Sequence, residues 1–324
     1  MKHKIIAAFT VASFALFSHQ TVAQEFPSKP ITLVVPYSAG GNVDTSARLL
    51  QKGLGDKLGQ PVVVVNKPGG GGMIAGVAVS KSEPDGHTLF IGGNGPLIFG
   101  PMLRENAPYS DWKSVFDPVS SLAEATNLLL VRSSLPVTTV EEFVEYTKAH
   151  PGEVTVGFSS RLSTNHFIGM LLRQESGVDW TEVYYKGNAP AITALVGEQI
   201  DAGFQQLKSA MPHIESGKLR PLAVIGNYGR SKVLPDVPTI EEAGYPNVTG
   251  STLNGVLAPK GTPADVLNFL SKHIQEALAV PEIEEAFTEI GSVAPGSTPE
   301  EYGQWLTDEE AKWVLVINKD EESK

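Results

Sequence analysis

The chain of 324 residues is 41% hydrophobic and 19% charged, too apolar for a disordered polymer and long enough for two domains of ordinary size. Its formal charge of −11 argues against nucleic acid, which demands a basic footprint, and the absence of cysteine removes disulfides and thiol catalysis. A small anionic ligand stays compatible, because a pocket is governed by its local field.

In chain order, the first 23 residues read as a secretory signal peptide. Lys2 and Lys4 form a basic start, Ile5 to Phe17 an apolar run, and Thr21-Val22-Ala23 a small-residue cleavage site. That run is short for a membrane span, and without cysteine there is no lipid anchor. The expected mature protein is periplasmic, and removal of the two lysines takes its formal charge from −11 to −13.

Ile31–Pro36 and Pro61–Asn66 then read as strands buried on both faces of a parallel sheet, with an amphipathic helix over Ser46–Leu58 between them. A helix over Met73–Ser80 and a third strand over His87–Gly93 continue the alternation. The rhythm restarts with strands at Val154–Ser159, Trp180–Tyr185, Ile200–Phe204 and Arg220–Gly226, and helices beginning near Ser163, Asn188 and Lys208. This predicts a second α/β unit. Apolar segments at Asn127–Ser134 and Leu253–Gly261 sit near the transitions. The remainder reads as helices over Val266–Ala279, Glu282–Ile290 and Pro299–Ile317, the last opened by the capping box Thr298-Pro299-Glu300-Glu301.

Catalytic and cofactor signatures are missing. There is no G-x-S-x-G and no H-E-x-x-H, the seven histidines lack metal-ligand spacing, and Asn66–Gly76 is glycine-rich without the lysine of a P-loop. No metal and no cofactor is expected. What remains is a set of loops between strands and helices: Ser38-Ala39-Gly40-Gly41, Gly69 to Gly72, Gly92 to Gly95, Ser159 to His166, Lys186-Gly187-Asn188 and Gln205-Gln206. In parallel sheets such loops share one edge, where ligands bind, and each offers helix N-terminal amides that attract anions. Turn and capping chemistry explains any one of them equally well. Asp44 reads as a cap or dipole partner. His166 either packs its helix or faces a cleft. Arg161 suits a carboxylate, though an exposed loop arginine is ordinary. Tyr37, Phe99, Phe158 and Phe204 would wall a pocket or belong to the core.

The runs FPSKPITLVVPYSAGGNVDTSARLL, LGQPVVVVNKPGGGGMIAG, EPDGHTLFIG, YKGNAPAITALVGEQIDAGF, IESGKLRPLAVIG, LPDVPTIEEAGYP and GVLAPKGTP resemble, in order and over nearly the whole mature chain, the solute-binding receptors of tripartite tricarboxylate transporters, the Bordetella-uptake-gene type. The resemblance implies a two-domain periplasmic-binding-protein fold of type II, a Venus flytrap with two crossover strands as hinge. It places 24–123 plus 252–324 in domain 1 and 124–251 in domain 2. It further implies a monomer that captures a small organic carboxylate in the interdomain cleft and delivers it to integral-membrane permease subunits. Carried over residue by residue, the domain 1 contacts are Tyr37, Ser38, Ala39, Gly40, Gly41 and Asn94. Those of domain 2 are Ser160, Ser163, Thr164, Asn165, His166, Lys186, Gly187 and Gln205. Relatives commonly carry a glycine-rich S-P-G-x-G-[ST]-x-x-H run where this chain has Phe158 to His166 with Arg161 and Leu162. Arg161 is therefore expected to pair with a second carboxylate, and Phe158 with Leu162 to favour an apolar or aromatic body. Di- and tricarboxylates, amino-acid carboxylates and aromatic acids such as terephthalate stay open. So do two other classes of function: a sensory module presenting its ligand to a membrane kinase, and an enzyme using a cleft acid or base such as His166.

Overall fold

The computed structural model describes residues 26–161, 163–250 and 252–322, with side chains to residue 317. The expected signal peptide and Leu162 lie outside the described residues. In chain order the elements are β1 (Ile31–Val35), α1 (Asn42–Leu58), β2 (Val62–Asn66), α2 (Met73–Ser80), β3 (Thr88–Gly93) and α3 (Gly100–Leu103). Then come β4 (Phe116–Ala125), β5 (Asn127–Arg132), α4 (Val140–Ala149), β6 (Thr155–Phe158), α5 (Thr164–Ser176), β7 (Thr181–Tyr184) and α6 (Asn188–Val196). They continue with β8 (Ala202–Gln206), α7 (Leu207–Glu215), β9 (Leu219–Ile225), β10 (Thr252–Pro259), α8 (Ala264–Leu278), α9 (Pro281–Glu289), β11 (Ser292–Val293) and α10 (Pro299–Glu322).

Among the described residues the strands form two sheets, ordered β11-β4-β10-β3-β1-β2 and β7-β6-β8-β5-β9. The predicted parallel units are there: β1 pairs in parallel with β2 and β3, and β6 with β7 and β8. Neither sheet is purely parallel, however. β10 runs antiparallel to β3 and β4, and β5 antiparallel to β8 and β9. The chain leaves the first sheet between Ala125 and Asn127 and re-enters it at Thr252, and the strand that follows each passage, β5 and then β10, is the one that runs against the βαβ strands.

One strand expectation needs correction, and one strand was not anticipated. β2 is an edge strand rather than one buried on both faces, with Val63 44% and Val65 40% exposed. β4 escaped notice because its sequence, FDPVSSLAEA, looks polar, yet Ser120, Ser121 and Glu124 are buried in mid-sheet. Partners far along the chain satisfy the Ser120 hydroxyl, the Ser121 amide and the Glu124 carboxylate, while the Ser121 hydroxyl keeps no hydrogen-bond partner among the described residues. Ser120 Oγ accepts from the Ser297 amide, the Ser121 amide donates to Ser297 Oγ, and Glu124 Oε1 accepts from the Asn227 amide, each at 3.0 Å.

Local chemistry sets the helix ends. Gly59, with φ +60, closes α1 by donating to Gly55 O. The capping box at Thr298 and Glu301 forms as read, with bonds of 2.8 and 3.2 Å. Each sheet has its own apolar core, and a further cluster is shared between the lobes. In the shared cluster Phe167 of α5 packs on Phe99 at 4.5 Å and on Trp313 of α10 at 5.3 Å, all three nearly inaccessible.

Candidate binding site

On the first lobe, β1 delivers the chain to the exposed loop Ser38-Ala39-Gly40-Gly41, and α1 begins directly after it. Asp44 organises this loop from inside the first turn. Its Oδ2 accepts from the Gly40 amide at 2.8 Å and from Arg48 Nε at 3.0 Å, while Asn66 Nδ2 bridges Asp44 Oδ1 and the Tyr37 carbonyl. Burial pushes the Asp44 carboxyl up, but the bonds from Arg48, Gly40 and Asn66 and the Arg48 charge outweigh it and hold it below the usual range. The cap reading of Asp44 fits this geometry. It also corrects the expectation for Gly40, whose amide is occupied by Asp44 rather than presented to an anion. Gly41 is the N-cap, has no side chain to offer, and leaves the first-turn amides of α1 without a side-chain cap. Its carbonyl accepts from both the amide and Oγ1 of Thr45 at 2.9 Å.

Tyr37 and Asn94 flank this loop in different states. The Tyr37 hydroxyl lies against Gly95, where an added Cβ would come within 2.9 Å of it, and burial pushes the phenol up to about 12. Asn94 is buried, and its Nδ2 donates to Glu309 of α10 at 3.2 Å. Glu309 Oε2 also accepts from Trp313 Nε1 at 2.7 Å.

On the second lobe, Ser163 caps α5 by accepting from the His166 amide and donates to Ser160 O at 2.9 Å. Arg161 and Lys186 are exposed, and Gly187, with φ +122, donates its amide to Ser159 O at 2.8 Å while starting α6. Thr164 is buried. Four of the expected contacts serve the lobe's own fold. Phe158 is fully buried and stacks on Phe204. Asn165 Nδ2 donates to Phe204 O at 2.9 Å. Gln205 lies within β8 rather than in a loop, and its Nε2 donates to Gly157 O at 3.0 Å. His166 faces β7, with Nε2 at 3.2 Å from the Tyr184 hydroxyl and 3.4 Å from Glu182 Oε2, so it packs its helix instead of opening into the cleft. Phe99 and Phe204, once weighed as pocket walls, are core.

The residue that sequence reasoning passed over is Lys208, noted only as a helix start. Its Nζ crosses between the lobes to donate to Thr45 Oγ1 at 2.7 Å. Asn188 and Gln205 each keep a buried side-chain oxygen without a hydrogen-bond partner. Among the described residues no cluster of His, Asp or Glu is arranged to hold a metal ion, and no helix is long and apolar enough to cross a membrane. The site is a seam of small loops and helix starts, with two exposed cations and one crossing lysine.

A model of the tripartite tricarboxylate transporter family receptor matches residues 46–321. Protein BugT of Bordetella pertussis is 35% identical over 92% of this chain and 91% of its own length. Among solved structures, an adipate-bound protein of R. palustris is 34% identical with a TM-score of 0.82, covering 91% of this chain and 98% of that one. The malate-bound MatC of Rhodopseudomonas palustris is 33% identical with a TM-score of 0.77, covering 90% of this chain and 100% of that one. The two-sheet architecture is that of the two-domain periplasmic binding proteins, as expected from the sequence.

Proposed function

Because the chain belongs to the tripartite tricarboxylate transporter receptor family, we propose that it is a periplasmic solute-binding protein that takes a small organic carboxylate between its lobes and hands it, unaltered, to membrane permease subunits. The family is one of receptors rather than enzymes. The observation that carries the ligand class is the start of α1. Its first-turn amides lack a side-chain cap, and its first turn meets the start of α7 across the lobes through Lys208 and Thr45. A helix N-terminus of this kind stabilises an anion without a dedicated basic side chain. Two relatives are solved with adipate and with malate, which supports a dicarboxylate here.

In this reading domain 1 comprises 24–123 plus 252–324 and domain 2 comprises 124–251, with the passages near Thr126 and Thr252 as the hinge. The ligand touches both lobes only when they are closed, and so shifts the population toward closure. Ser38, Ala39 and Gly41 contribute from the first lobe, and Ser160, Arg161, Ser163, Lys186 and Gly187 from the second. Arg161, exposed and outside any ion pair among the described residues, takes a second carboxylate.

A thermal-shift screen with adipate, malate, citrate and terephthalate tests the class. A true ligand at ~100 times its Kd adds roughly 2.7 kcal/mol of stability. Mass spectrometry of the recovered ligand should show no chemical change. A flat screen across all carboxylates would overturn the reading.

A further inference from the structure

We propose that Lys208 is an interlobe latch, a positioning residue that ties the closing lobe to the backbone of the ligand loop. The proposal rests on the carboxylate reading only for its choice of ligands.

The geometry is a relay of three groups. Lys208 Nζ, in the first turn of α7 on the second lobe, donates to Thr45 Oγ1 in the first turn of α1 at 2.7 Å. Thr45 Oγ1 in turn donates to Gly41 O at 2.9 Å. Gly41 is the N-cap of α1, without a side-chain cap, and the amides that follow it are those the carboxylate reading assigns to the ligand. One hydroxyl thus reads both the second lobe and the loop. The donor and acceptor count is complete, because the hydroxyl gives its single proton to the carbonyl and accepts from the ammonium on a lone pair.

The setting makes this contact more than a surface pair. Lys208 is half-buried, and the adjacent α7 residue, Leu207, donates its amide to Thr126 O at the passage between the sheets. The base of the lysine is therefore held at the passage while its flexible stem reaches the other lobe. The opposing charge that acts on Lys208 is Asp44, whose carboxylate is already engaged by Gly40, Arg48 and Asn66. Lys208 accordingly meets a neutral hydroxyl rather than a competing ion pair, so its bond to Thr45 breaks and reforms without leaving a carboxylate unpaired. A ligand that orders Gly41 orders Thr45 as well, and thereby favours the bond to Lys208. Conversely, a lobe fixed by Lys208 presents the loop in its binding shape. Such coupling is reciprocal.

The test uses the full mature chain with Lys57→Cys and Lys148→Cys as spin-label sites. Both positions are exposed, one on each lobe, and the chain has no cysteine of its own. Interlobe distances by pulsed electron resonance, and Kd for adipate and malate by calorimetry, are compared in Lys208→Met, Lys208→Arg, Thr45→Val and the double variant Lys208→Met with Thr45→Val. Lys208→Met and Thr45→Val should each lengthen the ligand-free distance and raise Kd for both acids by the same factor, about tenfold for one charge-assisted bond. The double variant should add little to either single change, and Lys208→Arg should restore most of both readouts. Unchanged distances with unchanged affinity would overturn the latch. A loss confined to one acid, with the distance unmoved, would also overturn it, since Lys208 would then be a direct ligand contact. If wild type binds neither acid yet Lys208→Met lengthens the distance, the latch stands and the carboxylate reading alone fails.

Discussion

Glu182 is where burial and pairing compete most visibly at a single residue. Burial alone would push its carboxyl up, but hydrogen bonds from His166 and Tyr184, with the charges of His166 and Arg173, hold it at about 2 against an ordinary 4.5. A depressed folded-state value contributes stability that is fully present above the unfolded pKa of 4.5 and lost as pH falls toward 2. Discounted for its partial exposure, the contribution is on the order of 1–2 kcal/mol. Glu182→Gln should therefore melt lower than wild type at pH 7, and the gap should narrow steadily below about pH 4.5. A melting difference that stays constant from pH 7 to pH 3 would count against this account. The same network explains why the role of His166 was not legible in the sequence. The residue stands at the helix start where a cleft contact was expected, but only the pairing of β6 with β7 brings Glu182 and Tyr184 to its ring.

Among the elements, α1 was read correctly at its C-terminal end, Leu58, but it starts at Asn42, a full turn before the expected Ser46, and its use of the preceding loop was not legible. Gly40 and Gly41 look alike in sequence, yet they do different things. Gly40 has φ +83, a conformation costly for any residue with a Cβ, although an added Cβ would meet nothing within 4 Å. Gly41 is conventional at φ −74, and a Cβ there would meet only Ser38 O at an ordinary 3.7 Å. Gly40→Ala should thus cost roughly 1–2 kcal/mol of stability through backbone strain, ligand or no ligand. Gly41→Ala should leave the melting temperature within experimental error but weaken carboxylate binding several-fold, since the methyl intrudes only where a ligand approaches. Equal affinity for Gly41→Ala and wild type would remove the first-turn amides from the site. Asp44 was legible because an acid in a first turn has few other uses. β2 misled because four valines in a row suit a strand buried on both faces as well as an edge strand, and strand order is not a local property. Gln205 misled for the mirror-image reason, since glutamine at a strand end looks like a loop until its amide is seen bonded across to β6.

At the scale of the whole molecule, repeating βαβ patterns made two units legible, because each buries its own strands. What joins the units was not, because it comes from residues far apart in sequence. Phe99, Phe167 and Trp313 are contributed by the chain after β3, by α5 and by α10, and they form one aromatic seam with all three rings within 5.7 Å of one another. Gly250 is packed against the same region, with no room for a Cβ before Ile168. The seam makes the lobes thermodynamically dependent, since opening it would bring large aromatic surfaces into water. The Lys208 contact is of another kind, a single polar bond that swaps readily with water. Closure and unfolding should therefore separate experimentally. Wild type should unfold in one calorimetric transition, and Phe167→Ala should remove about 3–5 kcal/mol and resolve that transition into two, one for each sheet. Lys208→Met should leave one transition, shifted by little, while lengthening the interlobe distance and weakening binding. If Phe167→Ala kept a single transition at nearly the wild-type temperature, the seam would not be what couples the lobes, and their union would have to rest on the backbone passages at Thr126 and Thr252 and on polar contacts such as Lys208 to Thr45 and Lys312 to the Thr249 carbonyl.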